Sequence, residues 1–112
     1  MIGIDIVAVA RVESAITRWG DKFLGKFLNQ SEISLIKSSK TAAGFWAAKE
    51  AAAKALGCGI CGNLSFHDMT ILKTEFGAPF IKLKEQNSFG LDKIYISITH
   101  DGGFAAAVAI IK

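Results

Sequence analysis

A run of small and apolar residues from Thr41 to Leu56 constrains the fold of this chain more than any other feature. Alanine has the highest helix propensity and recurs throughout the run. Thr41 stands where a capping residue would start a helix, and Gly57 stands just past its end. The segment is apolar on nearly every face, so the helix it predicts must be covered from several sides and belongs at the centre. With 112 residues, the chain is the size of one domain, which buries roughly two thirds of its unfolded surface. We therefore expect a single domain over residues 1–112 built round this helix.

The segments on either side supply the covering. Residues 1 to 8 alternate, with Ile2, Ile4 and Ile6 on one face and Gly3, Asp5 and Val7 on the other, the period-2 pattern of a strand. Val12, Ala15, Ile16 and Trp19 recur at helical spacing up to Gly20, Phe23, Leu24, Phe27 and Leu28 continue the stripe, and Ser31 is placed to cap a short helix through Ile36. Strands follow around Met69–Glu75 and Pro79–Lys84, then over the stretch holding Ile94, Ile96 and Ile98, and finally from Phe104 to Ile111. A strand, then helices, then an antiparallel meander make an α+β fold, with the Ala-rich helix packed on an antiparallel sheet.

Composition narrows the class. The chain is 51% hydrophobic and 21% charged, which argues against disorder and leaves an apolar surplus that a homo-oligomer would use. The apolar N-terminus contains Asp5, follows no basic stretch and falls short of the ~18 uninterrupted apolar residues of a membrane span, so a cytoplasmic protein is expected. Cys58-Gly59-Ile60-Cys61 has a redox or half-zinc spacing, but it follows a helix rather than opening one. Only His67 and His100 could complete a zinc site, so the cysteines read as incidental. The net charge of +3 is concentrated in Arg11, Arg18, Lys22 and Lys26 against Glu13 and Asp21, and again in Lys37, Lys40, Lys49 and Lys54. Such runs form a solvated face or a docking surface for an acidic partner.

Three charged residues stand out chemically. Asp5, in an isoleucine-rich strand, must have a cation beside it, either a Lys or Arg or a metal ion. Glu50 and Lys54 lie one turn apart on one face of the apolar helix, together with Trp46. A mere surface pair would contribute only about 0.3–0.5 kcal/mol, too little to explain charges there. Two carboxylates from separate elements suit Mg²⁺, which takes one or two carboxylates plus substrate phosphates, and Lys54 would add a point charge for the same phosphates. Gly57 and Gly59 allow close backbone approach to a ligand or serve only as a C-cap and turn. His100 reads as a phosphate contact or a plain loop histidine.

In chain order these pieces resemble the short, single-domain 4′-phosphopantetheinyl transferases called holo-[acyl-carrier-protein] synthases. The likeness is carried by Gly3-Ile4-Asp5-Ile6, Trp46-Ala47-Ala48-Lys49-Glu50-Ala51, Lys54-Ala55-Leu56-Gly57, Gly77-Ala78-Pro79 and Ser97-Ile98-Thr99-His100, and it spans essentially the whole chain. It implies that fold and the Mg²⁺-dependent transfer of 4′-phosphopantetheine from coenzyme A to a serine of an acidic acyl carrier protein. Asp5 and Glu50 would be the metal ligands, and Glu50 would accept the serine proton. Lys54 would contact the pyrophosphate, and Gly57, Gly59, Ser97, Thr99 and His100 would contact other parts of coenzyme A. The resemblance also implies a homotrimer with active sites between subunits, His100 reaching the site from the neighbouring chain. Arg11, Arg18, Lys22 and Lys26 would form the carrier-docking face, and neither nucleic acid nor a membrane would be a partner.

Three positions depart from the pattern: Phe45 stands where an Arg commonly precedes the aromatic residue, Val7 where larger relatives carry a second acid, and Asp101 follows the histidine. The rival reading is a non-catalytic module whose basic first helix holds an acidic protein or RNA, with Asp5, Glu50 and Lys54 as a structural ion network.

Overall fold

The structure is a computed structural model that describes residues 1–60 and 63–112. Cys61 lies outside the described residues, so the reading of the cysteine pair is left at the sequence. Strand β1 (Ile2–Ala8) leads into helices α1 (Val9–Trp19), α2 (Asp21–Phe27), α3 (Gln30–Ile33) and α4 (Ser39–Ala55). A 3₁₀ turn (Phe66–Asp68) then opens strands β2 (Met69–Lys73), β3 (Pro79–Leu83), β4 (Lys93–Asp101) and β5 (Phe104–Ile110). The strands form one antiparallel sheet in the order β1-β5-β4-β3-β2. Gly102 and Gly103, both at positive φ, turn β4 back into β5, as a two-residue hairpin with two left-handed positions requires.

Helix α4 lies across β1, β5 and β4 and also packs against α1. It starts earlier than the sequence suggests: Ser38, not Thr41, is the N-cap, its Oγ accepting from the Thr41 amide at 3.4 Å. Gly57 does follow the helix at φ 88°. The α3 start also differs. Asn29 precedes it, the Glu32 carboxylate accepts from the Asn29 amide at 2.7 Å, and Ser31 lies inside the helix, which ends at Ile33 rather than Ile36.

On β1 the two faces are fixed by the approach of α4. Gly3 and Val7 are buried towards the helix with Asp5 partly covered, whereas Ile2, Ile4 and Ile6 point outward, each more than 60% exposed. The cause is steric. A Cβ on Gly3 would sit 2.0 Å from the Ala51 carbonyl oxygen and 2.6 Å from the Ala55 nitrogen. Small residues continue the close seam on β5, where Ala105, Ala107 and Ala109 are buried. Larger side chains fill the other half of the core, among them Met69, Ile71, Ile81, Leu83 and Ile94, each contributing about 1.5–3 kcal/mol by full burial.

The α2–α3 segment is pinned to α4 by Lys49, which is wholly buried rather than part of a solvated or docking face. Its Nζ donates to Glu32 Oε1 at 2.8 Å, to the Phe27 carbonyl at 2.8 Å and to the Phe66 carbonyl at 3.1 Å. Glu32 Oε2 accepts from the Ile71 amide at 2.7 Å. Every ammonium hydrogen is thus used and both carboxylate oxygens are engaged, the condition under which a buried pair is tolerated. Phe23, Phe27, Trp46 and Phe66 stack around it at centroid distances of 5.1–6.3 Å.

Candidate active site

The seam between β1 and α4 brings Asp5, Glu50 and Lys54 together. Asp5 projects from the β1 face that meets the helix, and Glu50 and Lys54 lie one turn apart on α4. Lys54 Nζ donates to Asp5 Oδ1 at 3.0 Å and to the Ile4 carbonyl at 3.1 Å. The cation beside Asp5 is therefore a lysine in this chain, and the pair is partly solvated, with side-chain exposures of 52% for Lys54 and 15% for Asp5. Glu50 is half-buried. Its carboxyl is pushed above the usual carboxylate range, first by burial and then by the charge of Asp5, with Lys54 opposing. Among the described residues no ion pair within 4.0 Å reaches Glu50.

Two carboxylates against one ammonium leave the seam one unit negative, and Glu50 resists ionising beside Asp5. That donor set fits a hard divalent cation that keeps waters and takes one or two protein carboxylates. Among the described residues no group of three His, Cys, Asp or Glu side chains comes together, so water or substrate oxygens would supply the remaining ligands.

The other expected contacts lie elsewhere in the chain. His100 is exposed, with Nε2 2.8 Å from the Lys40 carbonyl and its ring against Gly44, where a Cβ would meet Nε2 at 3.1 Å. Gly44 precedes Glu50 by six residues, about 9 Å along the helix axis. Beside His100 a cleft of about 220 Å³ is lined by Thr41, Gly44, Phe45, Lys73, Gly77, Pro79, Ile98 and His100. Sequence reasoning missed Lys73, which adds a cation where Phe45 offers none. Ser97 and Thr99 are exposed on the outer face of β4 and line a shallow apolar groove with Ile4. They do not meet Asp5 or Glu50 within the chain. Gly57 and Gly59 form the turn after α4 at positive φ, the Gly59 amide donating to the Ala53 carbonyl at 3.1 Å.

On the helical side Arg11, Arg18, Lys22 and Lys26 are all exposed. Arg11 and Arg18 lie two turns apart on one face of α1, and Arg18 stacks over Trp19 at 5.0 Å. Arg11 borders an apolar cavity of about 140 Å³ lined by Val7, Val12, Ala15, Phe23 and Trp46. Val7 is the next residue after Asp5 on the inner face of β1, and Trp46 is one turn before Glu50, so this cavity adjoins the carboxylate seam.

Residues 1–109 match the sequence pattern of the 4′-phosphopantetheinyl transferase superfamily. The holo-[acyl-carrier-protein] synthase of Aliarcobacter butzleri is 55% identical over 112 residues, covering 98% of this chain and 95% of that one. The chain belongs to this family. A second relative, the holo-[acyl-carrier-protein] synthase of Nautilia profundicola, is 53% identical, covering 99% of this chain and 98% of its own. The crystal structure of Helicobacter pylori holo-[acyl-carrier-protein] synthase in complex with coenzyme A superimposes with a TM-score of 0.94 at 46% identity over the full length of both chains. The Bacillus anthracis synthase, solved with coenzyme A (3′,5′-ADP), superimposes with a TM-score of 0.79 at 32% identity, covering 96% of this chain and 91% of that one. This chain is thus a phosphopantetheinyl transferase of α+β fold, and the rival reading of a non-catalytic binder is set aside. Among the described residues no helix is long and apolar enough to cross a membrane.

Proposed function

We propose that this chain transfers 4′-phosphopantetheine from coenzyme A to a serine of an apo acyl carrier protein, with Mg²⁺ bound by Asp5 and Glu50, releasing 3′,5′-ADP. The reading rests on one observation above all: two carboxylates and a lysine from separate elements converge on a partly solvated seam. The carrier serine oxygen forms the new bond to the β-phosphorus as the bond to the 3′,5′-ADP oxygen breaks. Glu50, whose half-buried carboxylate stands in the seam beside Asp5 and Lys54, takes the serine proton directly or through one water. Lys54 has a third N–H beyond those given to Asp5 and Ile4 and turns it to the pyrophosphate. When bound, Mg²⁺ would neutralise charge building on the phosphate oxygens, which together with positioning carries most phosphoryl transfers.

The nucleotide end of coenzyme A lies in the cleft that holds Lys73 and His100, where Lys73 provides the cation that Phe45 cannot. A homotrimer that brings His100 of one chain to the carboxylates of the next is supported by the outward row of Ile2, Ile4 and Ile6 with Phe104 and Ile110, an apolar patch of the kind that marks an interface. The acidic carrier docks on Arg11, Arg18, Lys22 and Lys26. The test is to incubate the purified protein with coenzyme A, an apo acyl carrier protein and Mg²⁺ or EDTA, and to weigh the carrier. A phosphopantetheine increment with Mg²⁺ and none with EDTA is expected. No increment with Mg²⁺ would overturn the assignment.

A further inference from the structure

We propose that Gly3 is a positioning residue for the reaction: the absence of its side chain sets the gap across which Asp5 faces Glu50 and Lys54. The inference rests on the metal and base roles proposed above, but its geometry stands without them. Gly3 is two residues before Asp5 on the inner face of β1, and among the described residues no other glycine comes so near a neighbouring backbone. A Cβ there would lie 2.0 Å from the Ala51 oxygen, and ordinary contact begins at 3.4 Å. Strand and helix would therefore have to part by more than an ångström. The obstacle is helix backbone, which cannot rotate aside as a side chain can.

Ala51 follows Glu50, and Ala55 follows Lys54. Gly3 thus touches α4 directly beside both residues that answer Asp5. Displacement at this point lengthens the 3.0 Å contact between Lys54 and Asp5 and widens the carboxylate gap. Gly44, towards the other end of α4, tolerates bulk better: the nearest atoms a Cβ would meet there belong to the side chains of Ile98 and His100, at 3.0–3.4 Å.

The test compares Gly3→Ala with Ile81→Val, a core change on β3, in folded protein checked by circular dichroism. Acylation of Lys54 is followed by mass spectrometry in EDTA, and Mn²⁺ affinity by water-proton relaxation. Gly3→Ala should raise Lys54 labelling about two- to fivefold, the range set by opening a surface ion pair. It should weaken Mn²⁺ binding about 10- to 100-fold, as loss of outer support for a metal ligand does, while Ile81→Val changes neither. Wild-type Lys54 labelling and Mn²⁺ affinity in Gly3→Ala would overturn the proposal. Mn²⁺ binding that survives Glu50→Gln would instead sink the metal reading, and the EDTA labelling would then decide Gly3 alone. Ala55→Val, which crowds the same seam from the helix side, carries the test if Gly3→Ala does not fold.

Discussion

Two lysines on α4 five residues apart make opposite use of the same ammonium. Successive positions turn by about 100°, so Lys49 and Lys54 point about 140° apart around the helix. Lys49 faces α2, α3 and the 3₁₀ turn, is wholly buried, and gives every hydrogen to a fixed acceptor. Lys54 faces β1, remains half in water and retains a free donor direction. The first pair is closed and the second is open, with a second carboxylate, Glu50, beside it. A charge that is fully satisfied locks elements together, whereas one that is incompletely satisfied is available to a substrate.

The contrast breaks if the two lysines respond alike to removal. Lys49→Met should destabilise the fold by about 3–5 kcal/mol, because Glu32 is left as a buried unpaired charge. Lys54→Met should cost at most about 1 kcal/mol, since exposed pairs contribute little, yet should abolish most phosphopantetheine transfer. Urea unfolding of both variants beside a transfer assay checks this. Equal destabilisation would mean that the Lys54 pair is structural after all. The double variant Lys49→Met with Glu32→Leu sharpens the point: stability should recover only in part, because no unpaired charge is left but the Asn29 and Ile71 amides and the Phe27 and Phe66 carbonyls lose these partners.

How far these roles could be read in advance follows from what periodicity encodes. The placement of Glu50 and Lys54 at one seam was legible because two charges one turn apart on an apolar helix have no cheap structural explanation. Lys49 was not, since its partner Glu32 lies 17 residues away on another helix and nothing local distinguishes it from the other lysines of its group. The strand at residues 2–8 was legible as a strand, but alternation names two faces without saying which is covered. Gly3 decides that, through a contact with a helix some fifty residues further on. His100 had no local signal beyond its place before a glycine pair, and only the family resemblance singled it out. Lys73 read as an ordinary strand-end lysine until the fold brought it to the cleft.

A charge fully outside both pairs gives the intermediate effect. Arg11 is exposed on α1 and makes no ion pair among the described residues. Arg11→Glu should therefore leave the melting temperature unchanged while raising KM for the acyl carrier protein about tenfold, the size of effect that reversing a docking charge has on encounter with an acidic partner. KM for coenzyme A should stay within twofold, or about so, because no coenzyme A contact is assigned to α1. Equal increases in both would remove α1 as the docking face.

The smallest effect tests the open pair from the side of pH. Burial and Asp5 raise the Glu50 carboxyl above its ordinary 4.5, so the folded protein holds this proton more tightly than the unfolded chain. Its contribution to stability is complete below pH 4.5 and is lost as pH rises through the folded value. Once ionised, Glu50 is consequently a small liability to the fold, which the proposed metal and base roles would account for. Glu50→Gln in EDTA should melt slightly higher than wild type at pH 7, and the advantage should shrink to nothing below pH 4.5. The same variant should be inactive in transfer. A melting temperature lower than wild type at pH 7 would mean that Glu50 is bound into the structure as Glu32 is, and the division between a closed and an open pair would fall.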